Sequence, residues 1–319
     1  MNSALLAAVI AVAVAYALTP LVRSFAVRSG ILAHPGGRRV HATPTPLMGG
    51  LAMYLAFVTA VLLAVAFSAR LALDRQTIGI LLGGALLVFV GVVDDKYELP
   101  PWVQMLSILV GGAVLIEFGV EILGVTNPFK GGQFMPLGKL SIPLTLVWVL
   151  MVTKAVDCMD GLDGLAAGIA AIAAGTLMLM ALSMGARFEM SAVMSAALMG
   201  AALGFLRYNY PPAKIFMGTV GAQFLGFTLA GVSVAGAFKI ATLVAVAAPV
   251  LILGVPLFDT IFVVLRRAAT GKRIHEADTS HLHHRLVNKG LSHRQTVWII
   301  YLLTIICCAV AYFLFSYVR

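Results

Sequence analysis

Residues 140–164 read LSIPLTLVWVLMVTKAVDCMDGLDG. No charged side chain occurs from Leu140 to Thr153; Lys154, Asp157, Asp160 and Asp163 then follow at intervals of three, with Gly161 and Gly164 among them. About 20 mostly apolar residues in a helix cross the hydrocarbon core of a bilayer, and a carboxylate inside that core is costly. The stretch is therefore predicted to be a span over 140–156 that surfaces at an acidic, glycine-broken turn.

The same pattern extends in both directions. Apolar runs at 3–22, 47–69, 77–93, 101–118, 140–156, 164–184, 189–206, 219–238, 241–264 and 296–317 predict about ten transmembrane spans. Each is expected to be helical, because lipid offers no partner for a free backbone N–H or C=O. Composition agrees: 61% of the 319 residues are hydrophobic, 11% are charged, and mean hydropathy is +1.00. The expected fold class is all-α, a polytopic integral membrane protein with one domain over 1–319. Glu121 to Lys139, with Asn127-Pro128 and Gly131-Gly132, reads as an exterior loop or short hairpin. No internal repeat stands out. Ala15-Tyr16-Ala17 resembles a signal-peptidase site, but no basic residue precedes it, so the first run reads as a retained anchor with the N-terminus outside.

Loops after the odd-numbered spans share one side of the membrane. They hold Arg23, Arg28, Arg38, Arg39, Lys96, Lys154, Arg207, Lys214, Arg266, Arg267, Lys272, Arg273, Arg285, Lys289 and Arg294, out of 22 Lys and Arg. The positive-inside rule makes that side cytoplasmic and puts both termini outside. Asp94, Asp95, Glu98, Asp157, Asp160, Asp163, Asp259, Glu276 and Asp278 lie on the same side, as do all seven histidines. Topology alone explains the bases but not the acids and histidines, whose gathering points to a cytoplasmic active site. The net charge of +9 is first an orientation signal. Nucleic acid is not an expected partner. Cys158, Cys307 and Cys308 fit neither a disulfide framework nor a metal cage.

Four further stretches carry chemistry. Asp94 and Asp95, with Glu98 one turn on, end the third span and offer the hard oxygens that suit Mg²⁺ beside substrate phosphates. Asp157, Asp160 and Asp163 recur every three residues around a glycine-broken turn; helical spacing puts neighbouring acids on one face, and such acids repel one another unless a cation sits among them. Arg207 to Gly218 combines cations with Asn209, Lys214 and Phe216, suiting phosphate and a stacked base. His281, His283, His284 and Arg285 follow Asp259-Thr260 and suit either zinc or anionic oxygens. Arg38 and His41 stand in the basic first loop, ahead of a turn-prone stretch from Pro44 to Gly50. A transporter or channel is disfavoured, because the ionisable residues sit at span ends rather than mid-membrane.

These motifs, in this order and across nearly the whole chain, resemble the polyprenyl-phosphate N-acetylhexosamine-1-phosphate transferases. The branch resembled starts teichoic acid and enterobacterial-antigen-type envelope polymers in the bacterial plasma (inner) membrane, and is related to phospho-MurNAc-pentapeptide translocase. The resemblance implies transfer of N-acetylglucosamine-1-phosphate from UDP-N-acetylglucosamine to undecaprenyl phosphate, with Mg²⁺, or Mn²⁺, as cofactor and UMP as product. It implies that Asp94 contacts the attacking phosphate or acts as its base, and that Asp95 lies near the metal. Asp160 supports metal or diphosphate, Asp163, Asn209 and Phe216 line the uridine pocket, and Arg38, His41, Lys214 and the His281 to Arg285 run hold anionic groups. This chain departs from the family pattern at Thr219, where relatives carry a metal-binding aspartate, at Gly221-Ala222, at Leu47, and at Lys154 and Asp157, which replace asparagines. The expected compensation is Asp157 as a metal ligand with Lys154 adding phosphate-binding charge. The alternative reading is a paralogue that binds lipid phosphate or nucleotide sugar without turnover. Any homodimer is expected to use small-residue faces such as the Ala and Gly of span six.

Overall fold

A computed structural model of the chain describes residues 2–33, 44–127, 133–236, 243–269 and 281–318. Arg38 and His41 lie outside the described residues, as do Lys272, Arg273, Glu276 and Asp278. The helices are α1 (Asn2–Arg28), α2 (Gly49–Ala66), α3 (Arg75–Tyr97), α4 (Pro101–Glu117), α5 (Ser141–Met159), α6 (Leu165–Ser183), α7 (Glu189–Asn209), α8 (Gly218–Gly236), α9 (Leu243–Ile252), α10 (Gly254–Ala269), α11 (Leu282–Asn288) and α12 (His293–Val318). Among the described residues, α1, α2, α3, α5, α6, α7, α8 and α12 are long and apolar enough to cross a membrane, and α4 is a shorter apolar helix. The fold is that of an all-α, multi-pass membrane protein.

Local chemistry sets several boundaries. Asp74 caps α3, its Oδ1 accepting the Thr77 N–H at 2.8 Å. Glu98, at φ 51°, closes the same helix by donating its N–H to the Asp94 carbonyl at 2.8 Å. Pro101 opens α4, where its missing N–H costs nothing. The predicted ninth span arrives as two pieces, α9 and α10. Pro249 has no N–H for the ladder, yet its carbonyl accepts Leu253 N–H at 3.0 Å and the Leu253 carbonyl accepts Leu257 N–H at 3.0 Å, so the break is a bend. Beyond it α10 leaves Phe258, Phe262 and Leu265 exposed.

Two antiparallel pairs complete the chain. β1 (Leu32–Ala33) pairs with β2 (Thr45–Pro46), and β3 (Gly124–Asn127) pairs with β4 (Gln133–Pro136), the latter being the hairpin expected within 121–139.

Helices in lipid associate through close packing rather than through a hydrophobic drive, so small residues mark the interfaces. Gly200 and Gly204 of α7 meet the Ala8 and Val12 carbonyls of α1, where any side chain would collide. α8 lies at the centre, with Val220, Phe224, Leu225, Phe227, Leu229 and Ala230 fully buried. Its first turn is pinned from two sides: Gly50 of α2 rests on Gly221, and Gly91 of α3 on the Val220 backbone. The small residues of span six take a different role from the one expected. Ala166, Ala167, Ala170, Ala173 and Ala174 are buried inside the chain, and Gly168 is covered by Tyr301 of α12, so this face is not free for a second copy.

The ends of α3, α5 and α7 and the starts of α6, α8 and α12 meet at one end of the bundle around a cavity. The 27 residues of α1 and 26 of α12 run away from that end, roughly 40 Å at helical rise. Asn2 and Val318 therefore both lie at the opposite end.

Candidate active site

The cavity has a volume of about 950 Å³. Its acidic lining is Asp94, Asp95, Glu98, Asp157, Asp160 and Asp163; Asn209, Phe216, Thr219, His284 and His293 also line it, as do Gly30 to Ala33 and Thr45.

Asp94 and Asp95 are neighbours with different partners. Asp94, nearly buried, accepts at Oδ1 from the Leu99 N–H at 2.9 Å and from Gln104 Nε2 at 3.0 Å. Asp95 accepts at Oδ1 from the Thr219 N–H at 2.8 Å and so caps α8 from another helix, where the positive end of the helix dipole favours a carboxylate. Its Oδ2 is buried and has no hydrogen-bond partner among the described residues. Gly218, at φ +69°, makes the approach feasible, because a Cβ there would strike the Asp95 carboxylate.

The glycine-broken turn expected at the end of span five is present, and because of it helical spacing does not bring Asp157, Asp160 and Asp163 onto one face. α5 stops at Met159, and only Asp157 is helical. The Asp160 N–H turns back to the Asp157 carbonyl at 3.1 Å, and the chain reverses through Gly164 at φ +77° into α6. The glycines let the chain reverse within a few residues, so that α6 re-enters the bundle while the acids stay at the cavity end. Two bonds tie this turn to the segment after α7: Asp163 Oδ2 accepts the Ala213 N–H at 2.9 Å, and Asn209 Oδ1 accepts the Gly164 N–H at 3.0 Å. Asn209 Nδ2 also donates to the Ile215 carbonyl at 3.0 Å, so its amide holds backbone on both sides. Burial, reinforced by the charges of Asp157, Asp95 and Asp163, pushes the Asp160 carboxyl well above the usual carboxylate range.

The histidine run divides into separate roles. Burial alone would lower the His281 imidazolium, but Asp259 Oδ2 at 2.8 Å and the Cys158 side chain hold it protonated, up to about 10. His283 is pushed down to about 3 by burial and by the adjoining His284 and His281. It packs against Gly161, where a side chain would collide with its ring, and both its nitrogens lack partners among the described residues. His284, whose ring centroid is 4.3 Å from that of His283, lines the cavity. Arg285 places its guanidinium over the Phe262 ring at 5.2 Å.

Not every predicted residue reaches the cavity. Lys214 is exposed and is not in the wall. Lys154 also lies outside the lining; its Nζ donates to Asp157 Oδ2 at 2.6 Å and to Gln104 Oε1 at 3.0 Å. Gln104 and the Thr219 N–H are groups of the site that the sequence motifs do not mark. An amide one turn into the mostly apolar α4 is a signal for Gln104; the Thr219 N–H acts through backbone, which no motif advertises.

A divalent cation fits the charge of this wall. Asp95 Oδ2 has no hydrogen-bond partner among the described residues, and burial, reinforced by the neighbouring carboxylates, pushes Asp160 above the usual carboxylate range, an effect that a cation would offset. Among the described residues no three His, Cys, Asp or Glu side chains converge into a closed cage. Mg²⁺ does not need one, since it keeps waters and binds through one or two carboxylates plus substrate phosphates.

The chain matches glycosyl transferase family 4 over residues 77–237. It is 38% identical over 286 residues to a probable undecaprenyl-phosphate N-acetylglucosaminyl 1-phosphate transferase of Bacillus subtilis, covering 90% of this chain and 78% of that protein. It is 36% identical over 313 residues to the decaprenyl-phosphate N-acetylglucosaminephosphotransferase of Mycobacterium tuberculosis, covering 91% and 77%. A phospho-N-acetylmuramoyl-pentapeptide-transferase of Clostridium botulinum is 29% identical over 283 residues, covering 84% and 82%. On these matches the chain, a multi-pass bacterial membrane protein, belongs to glycosyl transferase family 4.

Proposed function

We propose that the chain transfers N-acetylglucosamine-1-phosphate from UDP-N-acetylglucosamine to undecaprenyl phosphate, as the first membrane step of a cell-envelope polymer such as teichoic acid. A phosphate oxygen of the lipid bonds to the β-phosphorus, the bond from that phosphorus to the bridging oxygen breaks, and UMP leaves with the electron pair. The observation that carries this reading is the cavity itself: about 950 Å³, large enough for a nucleotide sugar, walled by five aspartates and set at the ends of membrane-crossing helices.

Asp95 and Asp160 would hold Mg²⁺ or Mn²⁺, with Asp157 offering the oxygen that Lys154 leaves uncovered. When bound, the ion supplies charge neutralisation between two anionic reactants. Asp94, fixed by Leu99 and Gln104 through one oxygen, presents the other to the acceptor phosphate as contact or base. Phe216 offers a stacking face for the uracil ring, with Asp163 and Asn209 fixing the backbone around it. His284 lies nearest the substrate anions, while His281 and His283 hold the loop that carries it. Fixed positions matter most here, since transfer between phosphates asks the protein for alignment and electrostatics.

We place the cavity end of the bundle in the cytoplasm and both termini outside, in one integral-membrane domain. The clustering of Lys and Arg at the cavity end supports this orientation. A homodimer would need a face other than α6. Purified protein in detergent, given UDP-N-acetylglucosamine, undecaprenyl phosphate and Mg²⁺, should release UMP. Binding of both substrates without UMP, from this or any other UDP-N-acetylhexosamine, would overturn the transferase reading in favour of a binding role.

A further inference from the structure

One member of a polar chain in this molecule, Lys154, has no part of its own in the transfer just described. Lys154 stands on α5 inside the span and reaches Asp157 Oδ2 at 2.6 Å and Gln104 Oε1 at 3.0 Å. Gln104, from α4, donates its N–H to Asp94 Oδ1 at 3.0 Å on α3. Three helices are thus joined by a single line of groups: Asp157, Lys154, Gln104, Asp94. The aspartates and Gln104 line the cavity, and Lys154 does not. Its ammonium lies behind the wall, with two of its three N–H donors committed to that wall.

A lysine kept within a span is costly unless paired, so this pairing has to return something. Its effect on charge is direct. Five aspartates surround the cavity, and this ammonium is ion-paired to one of them and bridged through Gln104 to a second. We infer that Lys154 is a tethered counter-cation, a positioning residue that offsets part of the negative charge of Asp94 and Asp157 and thereby sets how tightly the cavity takes a divalent cation. The inference rests on the proposed transfer only for the use to which that cation is put.

The consequence runs against the usual effect of deleting a binding-site residue. Without the ammonium, Asp157 and Asp94 keep uncompensated charge beside Asp95 and Asp160, and a divalent ion is drawn in more strongly. At the intermediate dielectric of such a wall, one unit charge a few ångströms away changes affinity by about ten-fold or more. A lysine that merely filled space would leave metal affinity unchanged.

The test is a Mn²⁺ titration of the full chain in detergent without substrate, with free ion read by electron paramagnetic resonance. Lys154→Met should bind Mn²⁺ about ten-fold more tightly than wild type and Asp157→Asn more weakly. The double variant and Lys154→Arg should stay within about three-fold of wild type. Unchanged or weaker binding by Lys154→Met overturns the inference, as does a wild-type chain that binds no Mn²⁺. Should Lys154→Met fail to fold, Asp157→Asn decides, because affinity equal to wild type there overturns it equally. UMP release measured on the same wild-type preparation separates the two claims: no turnover defeats the proposed reaction while the order of Mn²⁺ affinities still stands or falls by itself.

Discussion

Asp95 Oδ1 accepts the Thr219 backbone N–H at 2.8 Å, and the bond joins the end of α3 to the first turn of α8 across 124 residues of sequence. One carboxylate oxygen is spent on helix capping, and the other is buried against Gly218 with no hydrogen-bond partner among the described residues. Gly218→Ala should therefore displace the carboxylate and cut UMP release by about 100-fold or more, as should Asp95→Asn. Circular dichroism of both variants should match wild type; full turnover by either would mean that this oxygen takes no part.

Thr219→Asp would set a sixth aspartate in the cavity wall, close to that oxygen. Without divalent ion the variant should be less stable than wild type by about 1–2 kcal/mol. With millimolar Mg²⁺ its Tm should rise by more than the wild-type increment, because the added charge is then neutralised. Thermal scans with and without Mg²⁺ read this directly, and equal increments would count against a cation at this wall.

Gly161 and His283 touch so closely that a side chain at 161 would collide with the ring. Gly161→Ala should drive the His283 ring outward and carry His284 with it, costing about 1–3 kcal/mol and at least about ten-fold in UMP release. Adding His283→Ala should recover part of the Tm, since the ring that collides is gone. A Gly161→Ala chain indistinguishable from wild type would show that the loop is not fixed through this contact.

The Asp259–His281 pair gives a pH dependence with a defined sign. The folded imidazolium titrates at about 10, against 6.5 for an ordinary histidine. Its contribution to stability is complete below pH 6.5 and is lost as pH climbs through 10. Asp259→Asn should lower stability by about 1–2 kcal/mol at pH 6, a figure discounted because solvent reaches part of the ring. The gap between variant and wild type should narrow toward pH 10, as followed by Tm across buffers; a gap that widens with pH would reverse the assignment.

Much of the site was legible because its residues punctuate apolar runs. Asp94 and Asp95 end one span, Asp157 to Asp163 end another, and all five line the same cavity. Less legible was how each side chain is employed. The glycine-broken turn after span five is legible, but spacing of three also fits a helix face, and only the structure shows that the helix ends at Met159 with Asp157 alone on it. Four consecutive-looking cationic residues suggest one anion site, yet Asp259 claims His281, Gly161 covers His283 and Phe262 takes Arg285. Span six looked like a dimer face until α7 and α12 were seen to bury it.

The sequence by itself determined that the chain crosses a membrane many times and that its chemistry collects at one set of span ends. Both follow from local physics: a run of apolar residues either matches the hydrocarbon thickness or does not, and charge is expelled from that thickness wherever it occurs. Only the tertiary structure decided which aspartate oxygen is left without a hydrogen-bond partner among the described residues, that Lys154 pairs with Asp157, and that Asp95 caps α8. Those outcomes depend on how closely helices approach, which glycines at 50, 91 and 218 control through contacts between residues far apart in the chain.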